Sequence, residues 1–253
     1  MPTMAQPNLS LPPLGFISLD IILHRPPGDP YNQNTWPFPL IHEKARDTPE
    51  SAVVTATAYD DSFLDRFVEA GERLAARGAV GIITSCGFLA MAQSELSARL
   101  PIPIMTSALV QAPSLLTIAA PHRKLGILTF DSTRLGAAHL QKLGTDPSRC
   151  HIHGAPTDGA LQRHIRQGAP YVHEEIAEEL VAAAREMLRD APEISLLLLE
   201  CTNMPPFSEA IQAATGLPVY DMHTAGLWFY SGLVNTRPMR WGSIVEDDIS
   251  TRT

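Results

Sequence analysis

Short, continuous apolar runs recur along this 253-residue chain, at 14–20, 51–58, 79–85, 103–106, 124–130, 194–200 and 217–221. Runs of this kind, rich in β-branched residues, have the signature of strands buried on both faces, as in parallel sheets. Between them the apolar positions take on helical spacing. The clearest such stretch is 61–77, where Phe63, Phe67, Ala70 and Leu74 share a side and Gly78 ends the run. A second, 172–189, puts Ile176, Leu180, Ala183, Ala184 and Met187 on a common face. Strands alternating with helices predict an α/β fold in which helices cover a parallel sheet. The segment 21–39 (IILHRPPGDPYNQNTWPFP) breaks the pattern, with no period and many Pro and Asn residues. It predicts a long loop after the first strand. Either it is a binding loop, or it is an ordinary connection held down by Trp36 and Phe38.

The pattern is duplicated. Cys86 closes the run AVGIITSC and Cys201 closes SLLLLEC, and each lies 17 residues before a proline that opens a short strand, Pro103 and Pro218. Upstream, Leu14–Asp20 (LGFISLD) is echoed by Leu125–Asp131 (LGILTFD). A repeat this long means two copies of one α/β unit rather than a solenoid. Ligands of parallel sheets bind beyond the carboxyl ends of the strands, where Asp20, Cys86, Asp131 and Cys201 all fall. Two mirrored thiols in a duplicated unit point to one site shared between the halves.

Composition narrows the classes. A formal charge of −8 without a Lys/Arg cluster argues against a nucleic-acid face. Three cysteines do not make a secreted disulfide framework. The first residues (MPTMAQPNLSLPP) lack the basic and apolar segments of a signal peptide, and no uncharged apolar stretch is long enough to span a membrane. A cytoplasmic protein that binds neither nucleic acid nor membrane is expected. No glycine-rich phosphate loop appears and no lysine is singled out for pyridoxal phosphate, so no organic cofactor is expected. Cys150-His151-x-His153 alternates along what reads as a strand with no further ligand cluster, so no metal is expected there either.

A thiolate at the start of a helix is favoured by the unpaired N–H groups and the dipole there. With the two halves packed face to face, Cys86 and Cys201 would stand on opposite sides of a bound carbon. One thiolate would take a proton and the opposing thiol would give one back, which is what cofactor-independent stereoinversion requires. Backbone N–H groups at both helix starts would stabilise the developing enolate. Thr106, with Ser107, follows the strand after Cys86, where hydroxyls bind a carboxylate or cap a helix equally well. Asp221 and His223 hold the matching place in the second half, with His223 placed to tune Cys201. Asp131 and Ser132 read as caps.

The segments TSCGF (84–88) and ECTNMP (200–205) resemble the two cysteine motifs of the aspartate/glutamate racemase superfamily, which includes hydantoin racemases, maleate isomerases and arylmalonate decarboxylases. The resemblance runs over essentially the whole chain. It is strongest to an uncharacterised subgroup sharing LD…RPPGD…TWPFP, TSCGFLA and LECTNMPP. It implies two pseudo-symmetric parallel-sheet α/β domains, 1–106 plus 221–253 and 107–220, with the active site in the cleft between them. It further implies a small-molecule carboxylate substrate held by backbone amides and hydroxyls, and a homo-oligomer. By this resemblance Cys86 and Cys201 are catalytic, while Ser85, Gly87, Phe88, Thr202 and Asn203 surround the substrate. Asp20 takes the place of an acidic residue after the first strand, and Thr133 that of a substrate-contacting threonine. The chain departs from glutamate racemases, which follow the first cysteine with Asn-Thr where Gly87-Phe88 stands here, and the second with Thr-His where Thr202-Asn203 stands. Retention of both cysteines weighs against arylmalonate decarboxylation. The expected activity is therefore a racemase or epimerase of an amino acid or derivative. The alternatives are a maleate-type cis-trans isomerase with one nucleophilic cysteine, or a carboxylate-binding protein without turnover.

Overall fold

The computed structural model describes residues 11–235. In chain order the elements of the first half are β1 (Leu14–Ser18), β2 (Leu40–Lys44), α1 (Glu50–Val53), α2 (Asp61–Ala76), β3 (Ile82–Thr84), α3 (Gln93–Arg99) and β4 (Ile104–Met105). Next come α4 (Ala112–Ile118), β5 (Lys124–Thr129), α5 (Ala137–Lys142), β6 (Cys150–Gly154), α6 (Ala160–Gln167) and α7 (His173–Asp190). The described chain ends with β7 (Ile194–Leu199), α8 (Ser208–Thr215), β8 (Val219–Tyr220) and α9 (Met222–Leu233).

The strands form two four-stranded sheets, ordered β2-β1-β3-β4 and β6-β5-β7-β8, with every pairing parallel. The two orders are the same once the second is matched strand for strand to the first, as the duplicated cysteine and LG segments predict. The fold is α/β with helices around both sheets. Each sheet is apolar through its middle, with β1 and the last five residues of β5 buried throughout. The amphipathic faces behave as read. Phe67, Ala70 and Leu74 of α2 are buried, as are all five named residues of α7, although Phe63 is only half-buried. Asp60 caps α2 by accepting from the Phe63 N–H at 2.7 Å.

One expectation fails, and one strand goes unread in the sequence. The apolar run 51–58 is not a strand: Glu50–Val53 make one helical turn, and the chain then lies along the second half. The edge beside β1 is taken by β2, so the carbonyls of this run turn elsewhere. Val53 O accepts from the Tyr59 hydroxyl and Thr55 O meets the His139 ring. β2 itself escaped notice because an edge strand carries polar residues, here His42, Glu43 and Lys44, in place of a continuous apolar run.

Among the described residues no helix is long and apolar enough to cross a membrane. The outer ends of the expected first domain, 1–10 and 236–253, lie outside the described residues, as does most of the N-terminal segment read for a signal peptide.

Candidate active site

Both thiols sit where a buried strand ends and the backbone turns. Cys86 comes two residues after β3, in extended conformation, and opens a single run of 3-10 helix, Gly87–Ala92, that is wholly buried. Cys201 comes two residues after β7 and precedes the short turn Pro205–Phe207. Cys86 and Cys201 line one small cavity of about 30 Å³. From the first half Ser85, Gly87 and Phe88 join them; from the second come Phe130, Glu200, Thr202 and Asn203. The Thr202 hydroxyl donates to Ser85 O at 2.5 Å and so ties the two cysteine loops to each other. The Ser85 hydroxyl in turn accepts from the Leu19 N–H at 2.9 Å. A larger cavity of about 510 Å³ adjoins the first and shares Glu50 and Val54 with it.

The electrostatics of the two sulfurs are matched up to a point. Burial pushes the Cys86 thiol well up, and the neighbouring Glu200 charge adds to this, while the Phe88 N–H pulls the other way. Burial and Glu200 also raise Cys201, opposed by the Asn203 N–H and by the positive charge of Arg25. Each sulfur therefore faces the N–H of the residue two positions on, and each is a neutral thiol at rest. Glu200 is 1% exposed. Its Oε2 accepts from the Thr129 hydroxyl at 2.7 Å, and its Oε1 has no hydrogen-bond partner. Burial lifts its pKa to about 7 against that hydrogen bond and the nearby Phe130 N–H.

Five of the expected binding residues, Ser85, Gly87, Phe88, Thr202 and Asn203, thus surround the two thiols. The other four stand apart from that cavity. Asp20 is exposed and pairs with Lys44 at 3.0 Å, which holds its carboxyl below the usual range. Thr106 is buried but bonds Gln93, its hydroxyl donating to Oε1 at 2.9 Å. Thr133 lines the larger cavity and donates to Asp131 at 2.6 Å. His223 lies against Trp36, ring centres 5.4 Å apart. Asp221 caps α9 by accepting from the Thr224 N–H at 2.8 Å. Asp131, expected to be a cap, also accepts from Arg166 at 2.8 Å, and Arg166 reaches Glu50 at 3.0 Å.

Three residues near the thiols were not anticipated: Glu200, Glu50 and Asp29. An acid closing the apolar run SLLLLE was the available signal for Glu200. Asp29 belongs to the loop 21–39, which is anchored and reaches the cysteine side of the second half. Trp36 and Phe38 are buried, and Trp36 Nε1 donates to Pro30 O at 2.9 Å. Asp29 accepts from Asn203 Nδ2 at 3.0 Å and from Arg25 at 3.2 Å, which moors the loop beside Cys201. Away from the thiols, His151 and His153 of edge strand β6 and Asp190 of α7 offer ligand atoms within 4.8 Å of one another, a group that could hold a metal ion. Cys150 is half-buried and faces Asp146 O at 3.6 Å.

Solved structures share this architecture. Arylmalonate decarboxylase without ligand superposes with a TM-score of 0.57, covering 90% of this chain and 94% of its own at 16% identity. Glutamate racemase from Aquifex pyrophilus gives 0.53 over 88% and 84% at 16% identity. An aspartate racemase homologue from Pyrococcus horikoshii OT3 gives 0.54 over 88% and 100% at 15% identity. The chain therefore has the racemase-like fold. In sequence it is similar to other proteins. It is 29% identical over 239 residues to a dimethylsulfoniopropionate lyase of Durusdinium sp. clade D, covering 92% of this chain and 79% of that one. It is also 29% identical over 184 residues to dimethylsulfoniopropionate lyase 7 of Emiliania huxleyi, covering 69% and 54%. The chain spans about half the length of the Emiliania relatives it matches. No family model matches the chain.

Proposed function

We propose that this chain is a cofactor-independent enzyme that moves a proton on the carbon next to a carboxylate, as a β-eliminating lyase of a small sulfonium carboxylate. The observation that carries this is the pair of thiols at matched strand ends around one cavity. Similarity to dimethylsulfoniopropionate lyases along most of the chain favours elimination over the racemisation expected from the cysteine motifs.

The chemistry needs one base. As a thiolate, Cys201 removes the proton on the carbon α to the carboxylate. The released pair forms the Cα–Cβ double bond while the Cβ–S bond breaks. Dimethyl sulfide leaves with the bonding pair, acrylate remains, and the proton passes from the thiol to water. Cys201 is assigned the base because Arg25, partly offset by its partner Asp29, opposes the rise in its pKa, and no positive charge does so at Cys86. Cys86 acts from the other side as a neutral thiol.

The test is the release of dimethyl sulfide and acrylate from dimethylsulfoniopropionate by the purified protein. Release is expected from the wild type, with a loss of at least about 100-fold in Cys201→Ala, the range for removal of a general base. No release from the wild type sinks the lyase reading. The equal placement of the thiols favours one second reading, racemisation or epimerisation of a small carboxylate by a two-thiol relay. That reading requires solvent deuterium at the α-carbon of recovered substrate, with both cysteines needed.

A further inference from the structure

Glu200 is the group in the thiol cavity that the elimination itself does not use. Its carboxyl is sealed in, with Oε2 engaged by Thr129 and Oε1 unpartnered. Leaving a buried carboxyl oxygen unpartnered costs stability, so its retention calls for a partner that arrives later. Its position is specific. Glu200 directly precedes Cys201, and its carboxyl packs against Gly87, the residue after Cys86. A Cβ at position 87 would overlap that carboxyl. One acid thus sits between the two cysteine loops.

The charges around it are one-sided. The other acid of the cavity, Glu50, pairs with Arg166 at 3.0 Å, a cation it shares with Asp131 at 2.8 Å. Glu200 has no ion pair, and among the described residues no Lys, Arg or His lines the thiol cavity. Phe88 and Phe130 line the same cavity, with the Phe130 ring already covered by the Arg166 guanidinium at 4.7 Å.

We infer that Glu200, held between the two cysteine loops, is the counter-ion of a positively charged group on the substrate. The inference rests on the reading of a sulfonium carboxylate as substrate and adds the residue that selects for the cation. It also gives the resting thiols a role for their neutrality. With the cavity empty, burial and, after it, the Glu200 charge keep both thiols in the neutral form. A bound cation offsets that charge and makes a thiolate easier to form only when substrate is present.

The pH dependence follows from the groups that face Glu200. Cys86, Cys201 and Tyr59 are all pushed up, chiefly by burial, and stay neutral around pH 7. Burial raises Asp131, but Thr133 and Arg166 outweigh it and keep that carboxyl low, so it stays charged. Glu50 remains in its ion pair with Arg166. Glu200, at about 7, is the group that changes charge. Cation binding therefore strengthens as pH rises through that value.

The experiment measures binding by calorimetry, with two unreactive ligands of one shape: cationic 3-(trimethylammonio)propanoate and neutral-tailed 4,4-dimethylpentanoate. The wild type is expected to prefer the cation by roughly ten-fold or more, as for a charge pair out of water. The preference should grow from about pH 6 to about pH 8, on either side of the Glu200 pKa. Glu200→Gln keeps the shape and the Thr129 contact, and should bring the ratio to about one at every pH. A Gln variant that keeps the preference overturns the inference. A wild-type preference that does not change with pH also overturns it, and that measurement stands if the variant does not fold. Glu200-dependent preference without any release of dimethyl sulfide supports the counter-ion and sinks the lyase. Release of dimethyl sulfide with a preference indifferent to Gln does the reverse.

Discussion

The Cys86 and Cys201 regions share a backbone plan and differ in what surrounds it. Both cysteines end a buried strand of a sheet with the same strand order, and both sulfurs face the N–H two residues on. After Cys86 the chain runs into a 3-10 helix of mostly apolar residues buried at every position, with the Glu200 carboxyl packed against Gly87. Around Cys201 the supports are polar and charged. Glu200 precedes it, Asn203 follows it, and Asp29 and Arg25 reach in from the loop after β1. Duplication supplies two equivalent places for a thiol, and the proposed function takes the side chains around Cys201 as those that favour a base. A two-base relay gains from equivalence, whereas an elimination needs only one base and tolerates a second thiol with a different task.

Substitutions can break this contrast one support at a time. The largest loss of stability is expected from Asp29→Asn on the Cys201 side. Asp29 and Arg25 are nearly sealed from solvent, and removing one partner of a buried ion pair costs about 3 kcal/mol. Denaturant unfolding measures it. Gly87→Ala comes next, because its Cβ would collide with the Glu200 carboxyl; overpacking of this kind costs about 2 kcal/mol, read by the same method. Thr202→Val removes the hydroxyl that links the cysteine loops and should cost about 1 kcal/mol. Asp20→Asn is the control: its pairing with Lys44 is exposed and screened by solvent, so its loss should leave the unfolding midpoint unchanged. A loss for Asp20→Asn comparable with that for Asp29→Asn would mean that the polar support of the site is wrongly placed.

Much of this was legible in the sequence because burial leaves simple marks. β1, β5 and β7 read as apolar runs, and the faces of α2 and α7 followed from spacing. The duplication of the unit was read from the repeated cysteine and LG segments, and the matched strand order agrees with it. Marks failed where a segment's partner is distant in sequence. The 51–58 run looks like a strand locally, yet its bonding groups meet the second half. β2 is an edge strand whose polar residues hide it. The residues adjoining each cysteine were found because they share its loop. Asp20 was placed by its strand end alone, and its partner Lys44 could not be read from that. Glu200 was within view, one position before Cys201, but only three-dimensional packing reveals that one of its oxygens has no partner.

The most direct test of unequal thiols is the rate of dimethyl sulfide release by Cys86→Ala and Cys201→Ala, each measured beside the wild type. Unequal roles predict that Cys201→Ala loses at least about 100-fold, as for removal of a general base, while Cys86→Ala keeps readily measurable release. Equal losses in the two variants, or a greater loss in Cys86→Ala, would contradict the assignment of Cys201 as the base.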